Sequence, residues 1–200
     1  TQWLPYVERG ITASITLGDE DMKATLIAEL GLLHQRLNRL DSAETYLNQA
    51  SQLAHQQGNH VLLGLVLQRQ AEVERLYQHY AECNALLDEA QALFTPPDPA
   101  QAYGLFIRGK AALDQHDLTA ATNAFTEAML LWQAEDDQGR AALCIQNLGR
   151  IAAARGELLV AIPLYEQAID LLNATNNRSN IPVVQVNLGN AYYAQQQYEQ

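Results

Sequence analysis

Residues 147–168 read NLGRIAAARGELLVAIPLYEQA, and the spacing of their small and bulky residues recurs along the chain. Small residues stand at Gly149, Ala161 and Ala168, and a bulky aromatic residue stands at Tyr165. Intervals of three, four and seven residues place side chains on one face of a helix. The stretch therefore predicts two helices that meet where the small residues lie, with a turn between them.

The same pattern returns at a period of about 40 residues. The first small column holds Gly31, Ala71, Gly109, Gly149 and Gly189, at intervals of 40, 38, 40 and 40 residues. The other columns hold Ala43, Cys83, Ala121 and Ala161, then Leu47, Leu87, Phe125 and Tyr165, then Ala50, Ala90, Ala128 and Ala168. A fixed period predicts a stacked array of similar units rather than a globule around one central core.

Each period reads as two helices. The predicted helices are Met22–Leu37, Ser42–Gln57, Val61–Leu76, Glu82–Phe94, Gln101–Leu113, Thr119–Ala134, Arg140–Arg155 and Leu159–Ala174, with a further helix from Ile181. The sequence thus predicts one array over residues 1–200, divided as follows: 1–17 as the second helix of a preceding repeat, repeats at 22–58, 61–95 (divergent), 101–135 and 140–175, and 181–200 as the first helix of a truncated repeat.

Turn-forming residues separate the predicted units. They stand at Gly58-Asn59, at Pro96-Pro97-Asp98-Pro99, at Asp136-Asp137-Gln138-Gly139 and at Asn176-Asn177. These residue types supply turn geometry or end a helix. Pro182 suits a first helical turn, whereas Pro163 predicts a local distortion of its helix rather than a break.

Composition excludes several classes of protein. With 48% hydrophobic residues, the 200-residue chain can bury a sizeable core, so general disorder is excluded. Twelve Lys and Arg against 23 Asp and Glu give a net charge of −11, which disfavours nucleic acids and anionic membrane surfaces as partners. Two cysteines cannot form a disulfide framework, and this favours a reducing, cytoplasmic location.

The pattern from Leu148-Gly149 to Ala168 resembles the tetratricopeptide repeat (TPR), a helix-turn-helix unit with small residues at fixed crossings. The period of about 40 residues and the Asn-Leu-Gly sequences at Asn147 and Asn187 are similar to those of kinesin light chain, of Leu-Gly-Asn-repeat adaptors and of bacterial signalling ATPases. This resemblance implies a TPR-like, all-α fold: a right-handed superhelix (α-solenoid) of antiparallel helix pairs.

In these families the first helix of each unit lines a concave face that binds a peptide. The resemblance therefore implies a non-catalytic protein–protein interaction module without cofactor or metal. The residues expected to face a peptide are Arg36, Arg69, Arg75, Lys110, Gln146, Asn147, Arg150, Asn187 and Asn190. Five of them are cations of an acidic chain, so the partner is expected to be a protein or peptide, with carboxylates that Arg can hold. The asparagine amides are expected to bind its backbone.

Other readings stay open at this point. Arg and Asn on a helix face often only keep it solvated, and Tyr103 and Phe106 suit a core or a ligand-facing role equally. No catalytic motif is found, no two histidines share a position in the repeat, and Cys83 and Cys144 read as buried thiols. The alternative function is a sensor or regulatory arm of a larger bacterial signalling protein, an ATPase or transcription regulator. Oligomeric state is not predicted.

Overall fold

A computed structural model describes residues 3–96, 98–175 and 177–198, which form helices joined by short turns. The helices are α1 (Leu4–Leu17), α2 (Glu20–Arg36), α3 (Leu40–Gln56), α4 (His60–Leu76), α5 (Tyr80–Ala92), α6 (Gln101–Asp114), α7 (Leu118–Ala134), α8 (Gln138–Ala154), α9 (Leu158–Ala174) and α10 (Ile181–Tyr198), with a 3-10 turn (Arg178–Asn180) before α10. The predicted all-α fold is confirmed, and the predicted helix bounds from Met22 to Ile181 differ from these by no more than two residues.

The helices pack in adjacent pairs, with α2 against α3, α4 against α5, α6 against α7 and α8 against α9. The chain divides into two compact units, residues 1–100 and 101–200, and the boundary follows the proline-rich junction. Each unit has hydrophobic clusters of its own, built around Leu47 in the first unit and around Phe125 and Tyr165 in the second. One continuous array through both units stays a prediction.

Small residues occur where two helices cross closely. A Cβ atom on Gly31 would lie 2.8 Å from Leu47 Cγ, and one on Gly149 would lie 2.9 Å from Tyr165 Cε1. A Cβ on Gly109 would likewise lie 2.9 Å from the Phe125 ring. In all three crossings the bulky side chain comes sixteen residues after the glycine. The predicted fit of bulky residues against small ones is therefore present in both units.

Most turns between helices use one residue in the left-handed conformation followed by a helix N-cap. Glycine occupies the left-handed position at Gly18, Gly58 and Gly156, but Asn38, Gln78, His116 and Asp136 also adopt positive φ there. Several of the next residues cap the following helix, as when Asp19 Oδ1 accepts from the Met22 N–H at 2.9 Å. The same bond is made at Asn59, Asp117 and Asp137. The turns at Gln78 and His116 lack the glycine that normally occupies the left-handed position of such a turn.

The α9 helix continues through Pro163 from Leu158 to Ala174. Within the described ranges, no helix combines the length and the apolar character that a membrane crossing requires. Pro97 and Asn176, which belong to two predicted junctions, lie outside the described residues, as do residues 1–2 and 199–200 of the predicted end segments.

Candidate functional site

The first helix of each pair (α2, α4, α6, α8 and α10) carries all nine of the predicted site residues. Within the first unit α2 contacts α4, and within the second α8 contacts α10. In each unit these two first helices therefore lie side by side, and their outward side chains form one face of that unit. We call this the first-helix face.

The three predicted site residues of the first unit lie on two helices and differ in exposure. Arg36 is exposed near the end of α2, and Arg69 is half-buried on α4. Arg75, also half-buried on α4, forms an ion pair in which its Nε lies 2.8 Å from Glu72 Oε2. Because Glu72 is only 6% exposed, this pair neutralises Arg75 inside the protein.

In the second unit, Lys110 and Gln146 are half-buried on α6 and α8. Lys110 Nζ lies 5.7 Å from the centre of the Phe106 ring. That ring in turn packs against Phe125 and Trp132, with ring centres 5.6 and 5.4 Å away. Of the two readings left open for Phe106, the structure therefore favours the core.

Three predicted site residues, Arg150, Asn187 and Asn190, line one cleft of about 300 Å³ between α8, α9 and α10. Tyr165 lines the same cleft from α9, and Ala153 and Leu158 add apolar surface. We call this the Arg150 cleft. Its position follows from the period, because Arg150 and Asn190 occupy corresponding places on two successive first helices.

Side chains that can donate hydrogen bonds line the Arg150 cleft. Among the described residues no carboxylate pairs with Arg150, and none bonds the side-chain amides of Asn187 or Asn190 or the hydroxyl of Tyr165. Burial raises the pKa of Tyr165, and the nearby Arg150 charge opposes that rise, so the hydroxyl stays protonated as a donor at neutral pH. A ligand that supplies acceptors and negative charge would complement these groups.

Asn147 lies beside the cleft but is only 7% exposed. Its Nδ2 donates to the Leu143 carbonyl oxygen at 2.8 Å, and its Oδ1 accepts from Arg150 Nη1 at 2.9 Å. Both ends of the amide are thus engaged within α8. That Asn147 binds a peptide backbone stays a prediction.

The corresponding place in the first unit, between α2, α3 and α4, has different chemistry. Shifting by the repeat intervals puts Leu32 where Arg150 stands, Leu47 where Tyr165 stands, Arg69 where Asn187 stands and Glu72 where Asn190 stands. Three of these four residues carry no side-chain hydrogen-bond donor, whereas all four corresponding residues of the Arg150 cleft carry one. The second unit therefore holds the stronger candidate for binding an acidic group.

Sequence reasoning missed Tyr165 as a cleft residue, because its column was read only as packing. Its ring does fill the space beside Gly149, as that reading requires. The available signal was the residue type: the column holds Leu47, Leu87 and Phe125 elsewhere, and only a tyrosine adds a hydroxyl.

In residues 3–96, 98–175 and 177–198, no three His, Cys, Asp or Glu side chains are grouped closely enough to hold a metal ion. Cys83 and Cys144 are both buried, as expected. Burial raises the pKa of the Cys144 thiol, which disfavours the reactive thiolate.

Comparison with known proteins agrees with this architecture. The family model of the tetratricopeptide repeat matches residues 24–56, which span most of α2 and α3. A search of curated proteins gave no match.

Solved structures resemble the whole chain. The crystal structure of BtubC (BKLC) from P. vanneervenii superposes with a TM-score of 0.77 at 16% sequence identity, covering 99% of this chain and 85% of that chain. The nearly identical TPR-like repeats of a predicted kinesin light chain from Podosopora anserina give a TM-score of 0.64 at 16% identity, covering 86% of this chain and 87% of that one. At such identity the likeness shows the fold. Residues 24–56 are therefore a tetratricopeptide repeat, and the chain has the fold of TPR-like repeat proteins.

Proposed function

We propose that the protein is a non-catalytic binding module that holds a peptide segment of a partner protein on its first-helix face. In this proposal an aspartate, glutamate or terminal carboxylate of that segment occupies the Arg150 cleft. The observation that carries it is the meeting of Arg150, Tyr165, Asn187 and Asn190 in one cleft that has no acidic partner among the described residues.

The family supports the general part of the proposal, since tetratricopeptide repeats generally mediate protein–protein interactions and are typically non-catalytic scaffolds. Local chemistry supports the specific part. A guanidinium can hold a carboxylate through two parallel hydrogen bonds, and amide and phenol donors can satisfy its remaining lone pairs. The apolar surface of Ala153 and Leu158 lowers the local polarity, which strengthens such bonds.

Charge supports the choice of a protein partner. The net charge of −11 disfavours a nucleic acid or an anionic membrane surface, and a small cationic cleft in an acidic chain suits a short acidic segment better than a long polyanion. A chain with only two cysteines, both of them buried, agrees with the cytoplasmic location that we propose.

The experiment uses two amidated, fluorescein-labelled ten-residue peptides, one rich in Asp and Glu and one with Asn and Gln in their place. Fluorescence anisotropy measures the affinity of each for the whole chain. We expect the acidic peptide to bind more tightly and Arg150→Gln to weaken it roughly 10- to 100-fold, the range for hydrogen bonds to charged groups.

Arg140→Gln is the matched control. Arg140 lies on the same helix and the substitution removes the same charge, but Arg140 is exposed at the start of α8 and pairs loosely with Asp137 at 3.4 Å. Its affinity for the acidic peptide should stay close to that of the unaltered chain. Equal losses in the two variants would attribute binding to general charge, and equal affinity for the two peptides would overturn the carboxylate proposal.

A further inference from the structure

The side chain of Asn147 has a fixed orientation. Its Nδ2 donates to the Leu143 carbonyl oxygen, which can only accept, and its Oδ1 accepts from Arg150 Nη1, which can only donate. The opposite assignment of amide nitrogen and oxygen would place two donors together and two acceptors together, so the neighbours determine the orientation. The amide oxygen therefore always faces the guanidinium.

This arrangement is not repeated one period later. Asn187 and Asn190 stand in the places of Asn147 and Arg150, and neither amide is bonded by the described residues. On α4 the two places hold Arg69 and Glu72, an arginine and a glutamate rather than an asparagine and an arginine. The asparagine–arginine bond is thus specific to α8, where the arginine lines the Arg150 cleft.

We propose that Asn147 is a positioning residue that holds the Arg150 guanidinium toward the cleft, rather than a residue that contacts the bound peptide. This inference rests on the proposed function of the cleft. An arginine side chain has several rotatable bonds, and fixing it before the ligand arrives lowers the entropy lost on binding. One Nη1 hydrogen is used by Asn147, which leaves the other guanidinium N–H groups for a carboxylate.

The first test needs no ligand. Side-chain 1H–15N NMR of Arg150 reports how fast the guanidinium rotates, because a hydrogen bond at Nη1 slows that rotation. We expect slow rotation in the unaltered chain and fast rotation in Asn147→Ala. Asn147→Asp, which keeps an oxygen acceptor, should restore slow rotation. Arg150 rotation that is the same in Asn147→Ala as in the unaltered chain would overturn the inference.

The second test is a double-mutant cycle with the acidic ten-residue peptide as the probe. Asn147→Ala should weaken binding roughly 2- to 12-fold when Arg150 is present, the range for one immobilised side chain, and by less than about twofold when Arg150 is replaced by Gln. Asn187→Ala is the matched control, since its amide is expected to contact the peptide itself. Its effect should be similar in both backgrounds.

The outcomes separate the two proposals. If Asn147→Ala costs the same factor with and without Arg150, Asn147 contacts the peptide and the positioning role is wrong. If the unaltered chain does not bind the acidic peptide, the proposed function fails, while the NMR measurement still decides whether Asn147 holds Arg150. Circular dichroism melting of each variant checks that the fold is retained. If the Asn147→Ala variant does not fold, Asn147→Ser takes its place in both tests.

Discussion

At the scale of single residues, two glycines in equivalent positions have different surroundings. A Cβ atom on Gly149 would lie 2.9 Å from Tyr165 Cε1, closer than atoms normally approach, whereas one on Gly189 would meet no atom of the described residues within 4 Å. Both glycines lie inside helices, where alanine is intrinsically favoured by about 1 kcal/mol. The two positions therefore separate the packing effect from the backbone effect.

We predict opposite effects of alanine at these two positions. Gly149→Ala should lower the free energy of unfolding by about 1–2 kcal/mol, because the overpacked crossing outweighs the gain in helix propensity. Gly189→Ala should raise it by about 0.5–1 kcal/mol. Urea unfolding followed by circular dichroism measures both. Changes of the same sign would show that the close crossing at Gly149 does not control stability.

At the scale of helices, the prolines of α9 and α10 differ in position. Pro163 is the sixth residue of α9, where a proline removes a hydrogen bond between backbone groups four residues apart. Pro182 is the second residue of α10, where the backbone N–H has no partner within the helix. Both prolines are exposed, so replacing them disturbs little packing.

We predict that Pro163→Ala raises the free energy of unfolding by about 1–3 kcal/mol, since α9 recovers a hydrogen bond and loses a steric clash. Pro182→Ala should change it by less than about 0.5 kcal/mol and serves as the control. Thermal melting and urea unfolding check the pair. A stabilised Pro182 variant together with an unchanged Pro163 variant would contradict this account of α9.

At the scale of the whole molecule, the period predicts most of the fold because helix packing depends on side-chain size at fixed positions. For that reason the close crossings at Gly31, Gly109 and Gly149 could be predicted from the sequence, as could the helix bounds. The turns at Gln78 and His116 are harder to predict from the sequence, because no glycine marks them. Residues other than glycine can adopt positive φ there, at an energetic cost. The division after Ala100 was not predicted. The repeat pattern gives the positions of the helices but not the number of contacts between one pair of helices and the next.

The candidate site was only partly predictable. The period identifies Arg150 and Asn190 as equivalent positions and places Asn187 on the same face as Asn190, and the structure brings these three into one cleft. Hydrogen bonds between neighbouring side chains, such as that between Asn147 and Arg150, depend on rotamers that a residue pattern does not specify. The alternative role, as the regulatory arm of a larger signalling protein, stays a prediction.

Contacts within each unit join helices that are close in sequence. We therefore expect a destabilising substitution to affect the helices next to it more than distant ones. In Gly149→Ala, native-state hydrogen exchange should accelerate most in α8 and α9 and least in α2 and α3, because repeat stability is approximately a sum of neighbouring interfaces. Mass spectrometry of peptic fragments measures this. Uniform acceleration across all helices would contradict local coupling and indicate a single cooperative unfolding unit.

The sixteen-residue interval between a glycine and the bulky side chain beside it links two distant positions of the sequence. Enlarging one side chain requires shrinking the other, so neither position can vary alone without loss of fit. Mutant libraries of such a chain should therefore vary both positions of each pair together: Gly31 with Leu47, Gly109 with Phe125, and Gly149 with Tyr165.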